Sequence, residues 1–290
     1  KPTGLNPLQT EIDNRGQAWL ADWLATLLER RDRPLTPVQT NRLQEVVRQN
    51  AGADHAGLRN WSDFASLLVS TDDDGDLFER MQEWTETGRY GWIFGANPQD
   101  GFSLGGEVSG FDLTGILDSE SERERMAVLS YLFRRVERVI EDRRPTVILI
   151  DEAWKALDNG YFADRLSNWL VTARKQNAVV VMMTQYASQL ERTRTGKTIV
   201  EAVPTQILLP NIRASAADYA MLGLSEKELD VLLGVGTASR LALVRDDRGS
   251  VVIDADLSAL GPLVTVLGGM EKGEQLVGAD YRDRPDFWKV

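Results

Sequence analysis

No cysteine occurs among the 290 residues, and His55 is the only histidine. That excludes disulfides and thiolate metal sites, leaves a His-based metal centre or a Ser-His triad without material, and fits a reducing compartment. Positive charge is in short supply: 33 Lys and Arg stand against 44 Asp and Glu, for a net charge of −11. This balance argues against a dedicated nucleic-acid coat, although a local basic groove is compatible with it. No apolar run reaches the roughly 18 residues of a membrane-crossing helix, so none is expected. Internal repeats and low-complexity segments are missing as well. With 42% hydrophobic and 27% charged positions, the chain has ample material for a globular core, in one large domain or one plus an inserted piece.

The first ten residues, KPTGLNPLQT, read as a loop. From about Asp13 the pattern turns helical. Trp19, Leu20, Trp23, Leu24, Leu27 and Leu28 recur at helical spacing, and Pro34 stops the run. Thr36-Pro37 opens a second helix as cap and first-turn proline. A third is predicted over about Ser62–Val69 and a fourth over about Asp76–Thr87, ending at Gly88. Residues 13–90 therefore read as all-helical. Beyond them the segment 107–117 reads as a strand with Gly and Asp interruptions. Ser121–Glu141 reads as an amphipathic helix with Met126, Leu129, Phe133, Val136 and Ile140 on one face. Apolar strands at 146–150, 178–184 and 205–209 alternate with helical stretches, the pattern of a parallel sheet covered on both faces. A hairpin is expected around Asp246-Asp247-Arg248-Gly249.

Chemistry concentrates in VILIDEAW (147–154). Four apolar residues make a central strand, and two carboxylates appear where it emerges. Ligands of open α/β sheets sit at the carboxyl ends of the strands. An Asp there can hold Mg²⁺, directly or through water, and the following Glu can orient or deprotonate an attacking water. This is the layout of a Walker B element with a catalytic glutamate; the plainer alternative is a strand followed by an acidic helix cap. Trp154 reads as a packing residue. A second strand, AVVVMMTQ (178–185), ends in Thr184-Gln185, whose neutral amide can donate to a phosphate oxygen and accept from the attacking water. Between them, Arg174 is either a cation at a helix C-terminus or an arginine finger reaching a neighbouring subunit's nucleotide, with Arg194 and Arg213 as lesser candidates.

ERTRTGKT (191–198) ends like a phosphate-binding loop, but the pattern G-x-x-x-x-G-K-[ST] needs glycine where Glu191 stands, and the segment follows the Asp-Glu strand instead of preceding it. It reads as a polar loop before a helix at Ile199–Val203, and nothing else in the chain fits the pattern.

Several motifs together resemble the ATPases of type IV secretion and conjugation machines, the CagE–TrbE–VirB family. They are PTGLNPLQ (2–9), LIDEAWKALDN (149–159), WLVTARKQNAVVVMMTQ (169–185), TIVEAVPTQILLPN (198–211), LGLSEKELDVL (222–232) and LGG (267–269). The resemblance covers nearly the whole chain. It implies a RecA-like P-loop NTPase core of α/β class with a mostly parallel sheet, formed by 1–12 and 91–290, and an inserted helical subdomain, 13–90. It implies Asp151 as the Mg²⁺ residue of an ATP site, Glu152 as catalytic base, Gln185 as γ-phosphate sensor and Arg174 as candidate finger. In that family the Walker A loop lies upstream of PTGLNPLQ, so the chain is expected to start after it, and ATP binding by this segment alone is in doubt. The implied setting is a homo-oligomer, a hexamer in one form, peripheral to the bacterial inner membrane among other secretion-system components, driving pilus assembly or substrate export. Two other readings stay open: a DNA-pumping coupling protein or FtsK/HerA-like translocase, and a non-catalytic assembly module.

Three further features read as structural. Ser70–Asp76 lacks the acids of a calcium loop at both ends and reads as an acidic helix cap. Arg134, Arg135, Arg138, Arg143 and Arg144, interleaved with acids, read as a solvated, salt-bridged face. Trp19 and Trp23 read as helical core.

Overall fold

A computed structural model describes residues 3–95, 100–101, 104–153, 157, 160–193, 195–234, 240–261 and 263–264. Trp154, Arg194 and the Leu267–Gly269 motif lie outside the described residues. The chain forms two compact units, residues 1–146 with 175–178 and residues 147–174 with 179–290.

The first unit is helical. Its helices are α1 (Pro7–Thr10), α2 (Asn14–Leu28), α3 (Pro37–Ala51), α4 (Trp61–Ser66), α5 (Asp76–Gln82), α6 (Thr114–Leu117) and α7 (Glu122–Glu141). Side-chain caps start them where the sequence places them. Asp13 accepts from Gly16 N at 2.6 Å, Thr36 closes a reciprocal capping box with Gln39, and Ser121 accepts from Glu124 N. The acidic stretch before α5 is a cap too: Asp73 Oδ2 accepts from Leu77 N and from the Gln39 amide. The apolar stripe of α2 is buried with residues of α3, α4, α5 and α7, around Trp23, Trp61, Trp84, Phe94 and Tyr131. The Trp23 indole N–H donates to Ser130 Oγ at 2.7 Å, which satisfies a buried donor.

Three expectations fail in this unit. The helix from Asp76 stops at Gln82, short of Gly88. The chain turns back so tightly that a Cβ at Gly88 would lie 2.1 Å from Gln82 O, so this glycine serves a close backbone crossing and not a helix end. Residues 107–117 form no strand; apart from α6 they are irregular, and Val108 is 92% exposed. Their Gly and Asp interruptions leave too short a run to pair. Finally, Arg134 and Arg135 are not solvated. Arg134 is buried beside Glu11, and Arg135 pairs with the buried Asp100 at 3.1 Å.

The second unit holds most of β1 (Thr146–Ile150) and β2 (Ala178–Met182), with α8 (Gly160–Thr172), α9 (Ala187–Glu191), α10 (Gly196–Ala202), β3 (Gln206–Leu208), α11 (Glu226–Gly234), β4 (Leu241–Asp246) and β5 (Gly249–Asp254). β1 pairs with β2, and their bonds run from Thr146–Asn177 at one end to Ile150–Met183 at the other, so the two strands are parallel. β3 does not join them. It pairs antiparallel with β4, which forms the expected hairpin with β5 across Asp247-Arg248. Among the described residues the strands thus form one parallel pair and one antiparallel sheet of three, instead of a single parallel sheet. Nor is the parallel pair covered on both faces: Val147 and Leu149 are 65% and 66% exposed, alternating with half-buried neighbours. Fold class is α/β as expected, with helices and a parallel strand pair.

Candidate functional site

The carboxyl ends of β1 and β2 are joined by one residue's backbone. Met183 N donates to Ile150 O at 2.9 Å, and Met183 O accepts from Ala153 N at 3.0 Å. Ile150 and Ala153 both spend their ladder groups on Met183, so Asp151 and Glu152 are pushed out of the ladder as a two-residue bulge at the strand's end. Glu152 takes a left-handed conformation, φ 50°, which disfavours a residue with a Cβ by roughly 1–2 kcal/mol. Asp151 Oδ1 accepts from Glu152 N at 2.9 Å and braces that turn. Strained non-glycine backbone at a strand end is a feature of functional sites.

On the neighbouring strand, Gln185 follows Met183 by two residues, and its Nε2 donates to Glu152 Oε1 at 2.6 Å. The two side chains picked out of separate motifs therefore meet. Asp151 and Gln185 are exposed and Glu152 is half-exposed, so the group faces solvent and is open to a ligand. Thr184 Oγ1 donates to Gln189 Oε1 at 2.6 Å, and Tyr186 N donates to the same oxygen at 3.3 Å. Gln189 carries no motif of its own. The signal that could have singled it out is its place three residues after Tyr186, where a helix's third residue caps the chain entering it.

Arg174 is not brought to this group. It lies in the turn of 3₁₀ helix Ala173–Gln176, ahead of β2, while Gln185 follows β2. Five strand residues at about 3.3 Å each separate the two by roughly 17 Å, beyond the reach of an arginine side chain. Arg213 is exposed in the turn after β3.

Gly196 has a packing reason of its own. A Cβ there would lie 1.8 Å from Leu190 O, so the glycine lets α10 start against the end of α9. Lys197 is 84% exposed, with Glu201 3.9 Å away.

The residues present suit a magnesium ion better than a caged metal. Among the described residues no group of three or more acidic or histidine side chains converges. Asp151 and Glu152 offer hard carboxylate oxygens in an open setting, and Mg²⁺ is bound through one or two carboxylates plus a substrate's phosphates. Among the described residues no helix is long and apolar enough to cross a membrane.

Comparison with known proteins places relatives along nearly the full chain. The type IV secretion system protein virB4 of Bartonella henselae is 30% identical over 294 residues, covering 99% of this chain and 37% of that protein. The type IV secretion system protein PtlC of Bordetella pertussis is 32% identical over 302 residues, covering 99% and 36%. A probable conjugal transfer protein TrbE of Sinorhizobium fredii is 31% identical over 294 residues, covering 98% and 42%. The chain thus spans about two fifths of the curated relatives' length. No protein-family model matches it. Among solved structures, VirB4 of Thermoanaerobacter pseudethanolicus superposes with a TM-score of 0.61 over 87% of this chain and 73% of that one, at 20% identity. At that identity the likeness speaks for the fold.

Proposed function

Because this chain belongs to the family of type IV secretion and conjugal transfer proteins that includes VirB4, PtlC and TrbE, we propose that it forms the ATP-hydrolysing core of a secretion motor. The observation that carries the reading is the Gln185–Glu152 hydrogen bond at the carboxyl ends of two parallel strands. Open α/β sheets bind their ligands at that edge.

In this proposal the substrate is ATP. Asp151 would hold Mg²⁺ together with the nucleotide's phosphates, and the ion would supply charge neutralisation on the transferring phosphoryl group. Glu152 orients the attacking water and takes its proton, being an acceptor held in place by the Gln185 amide. The water oxygen bonds to the γ-phosphorus as the bond to the β,γ-bridging oxygen breaks. Gln185, which has both donor and acceptor, keeps Glu152 aimed and can meet a phosphate oxygen with its second N–H. Arg174, remote from the site of its own chain, is assigned to a neighbouring copy's nucleotide in a homo-oligomer. The core is read as RecA-like, with 13–90 as its helical insertion. The motor would work peripherally at the inner membrane with other components of the secretion system, in pilus assembly or substrate export.

The test is turnover by the whole gene product that contains this chain. ATP hydrolysis that stops on removal of Mg²⁺ by chelation and returns on its addition supports the proposal. A protein that neither binds nor hydrolyses ATP with Mg²⁺ present sinks it, and the assembly-module reading then stands. Steeply salt-dependent stimulation by DNA would move the cargo assignment from protein to DNA.

A further inference from the structure

We propose that Gln189 is the positioning residue that aims the Gln185 amide at Glu152. The inference rests on the role given to Gln185 above. Gln185 sits in the three-residue link Thr184–Tyr186, between the last ladder bonds, those of Met183, and the first residue of α9, Ala187. A link that short has few ways to fix a side chain. Here both residues flanking Gln185 are tied to one atom: Gln189 Oε1 accepts from Thr184 Oγ1 at 2.6 Å and from Tyr186 N at 3.3 Å. Gln185 projects from between those anchors and donates to Glu152 at 2.6 Å. The relay therefore runs from Gln189 to Thr184 and Tyr186, then through Gln185 to Glu152.

The bond to Tyr186 alone would be an ordinary helix cap, since a third-residue glutamine commonly reaches back to the N–H that precedes its helix. The bond to Thr184 goes beyond that need. It crosses to the strand side of Gln185, and with both hydrogens coming from the partners it uses Gln189 purely as an acceptor. A carboxylate of the same length can replace it. An apolar side chain of the same size cannot.

That asymmetry sets the experiment, on Gln189→Leu and Gln189→Glu. The first readout is the side-chain amide resonance of Gln185 in this chain, identified by its loss in Gln185→Leu. It is expected to move to the position of a free glutamine in Gln189→Leu and to stay in place in Gln189→Glu, with the melting temperature unchanged in both. The second is steady-state kinetics of the whole gene product. Misplacing a catalytic group by about an ångström costs on the order of 10²-fold, so Gln189→Leu is expected to lose kcat by about that factor at unchanged ATP affinity, and Gln189→Glu to retain it. A Gln185 resonance that does not move in Gln189→Leu overturns the proposal. If the resonance moves and kcat does not, the positioning role stands and the catalytic role of Gln185 falls.

Discussion

The buried pair Glu11–Arg134 offers a prediction whose size follows from the structure. Glu11 is 1% exposed and Arg134 6%; Arg134 Nε donates to Glu11 Oε2 at 3.2 Å, and the guanidinium lies 5.6 Å from the centre of the Trp19 ring. The carboxylate has no room to move toward solvent on the α2 side, where a Cβ at Gly16 would stand 2.9 Å from Glu11 Oε2. Burial pushes the Glu11 carboxyl above its ordinary value of 4.5, against the opposing pull of Arg134 and Arg138 and with a small push from Asp13. Arg134→Met keeps the packing on Trp19 and removes the counter-charge. Orphaning one member of a buried ion pair costs about 3–5 kcal/mol, and that is the loss expected in urea unfolding at pH 7.5. Glu11→Gln combined with Arg134→Met removes the stranded charge and should recover most of it. Since the carboxyl is raised by folding, the folded chain keeps a proton there longer than the unfolded one, and stability falls as pH climbs from 4.5 through the raised value. Without Arg134 that fall is deeper. The deficit of Arg134→Met should therefore shrink between pH 8 and pH 5.5. A loss under about 1 kcal/mol, with no recovery in the double variant, would refute the reasoning, because paired burial would then carry no penalty for separation.

Two other outcomes are expected. Gly196→Val should destabilise the chain by about 1–3 kcal/mol through overpacking of α10 on Leu190 O, whereas Lys197→Ala should leave both melting temperature and ATP affinity unchanged, since Lys197 is exposed and belongs to no phosphate loop. Arg174→Ala and Glu152→Gln should each abolish turnover alone, while a mixture of the two should regain part of it, because an interface between them can combine an intact Glu152 with an intact Arg174. A mixture as inactive as its components would place Arg174 outside the neighbour's site.

Local signals in this sequence were strong where a single element decides the outcome. The caps Asp13, Thr36 and Ser121, the stripe of α2 and the Asp-Arg hairpin turn need no partner to be legible. The ends of β1 and β2 were legible for the same reason: a run of apolar residues that breaks into Asp-Glu or Thr-Gln marks a strand leaving the sheet. What stayed hidden depends on distant chain. Alternating charges on α7 give no hint that Arg134 faces Glu11, 123 residues earlier. β3 carries the same apolar letters as β1 and β2, yet its partner is β4, and nothing in QIL specifies an antiparallel neighbour. Gln189 escaped notice because a glutamine early in a helix is common, and its value lies in which two residues it ties together.

The most direct measurement is ATP binding and turnover by Glu152→Gln in the whole gene product. Gln keeps the size and the contact to Gln185 but cannot take a proton from water, so nucleotide affinity should persist while hydrolysis falls by about 10²–10⁴-fold. Turnover at the native rate, with the bulge at 151–152 intact, would contradict the account.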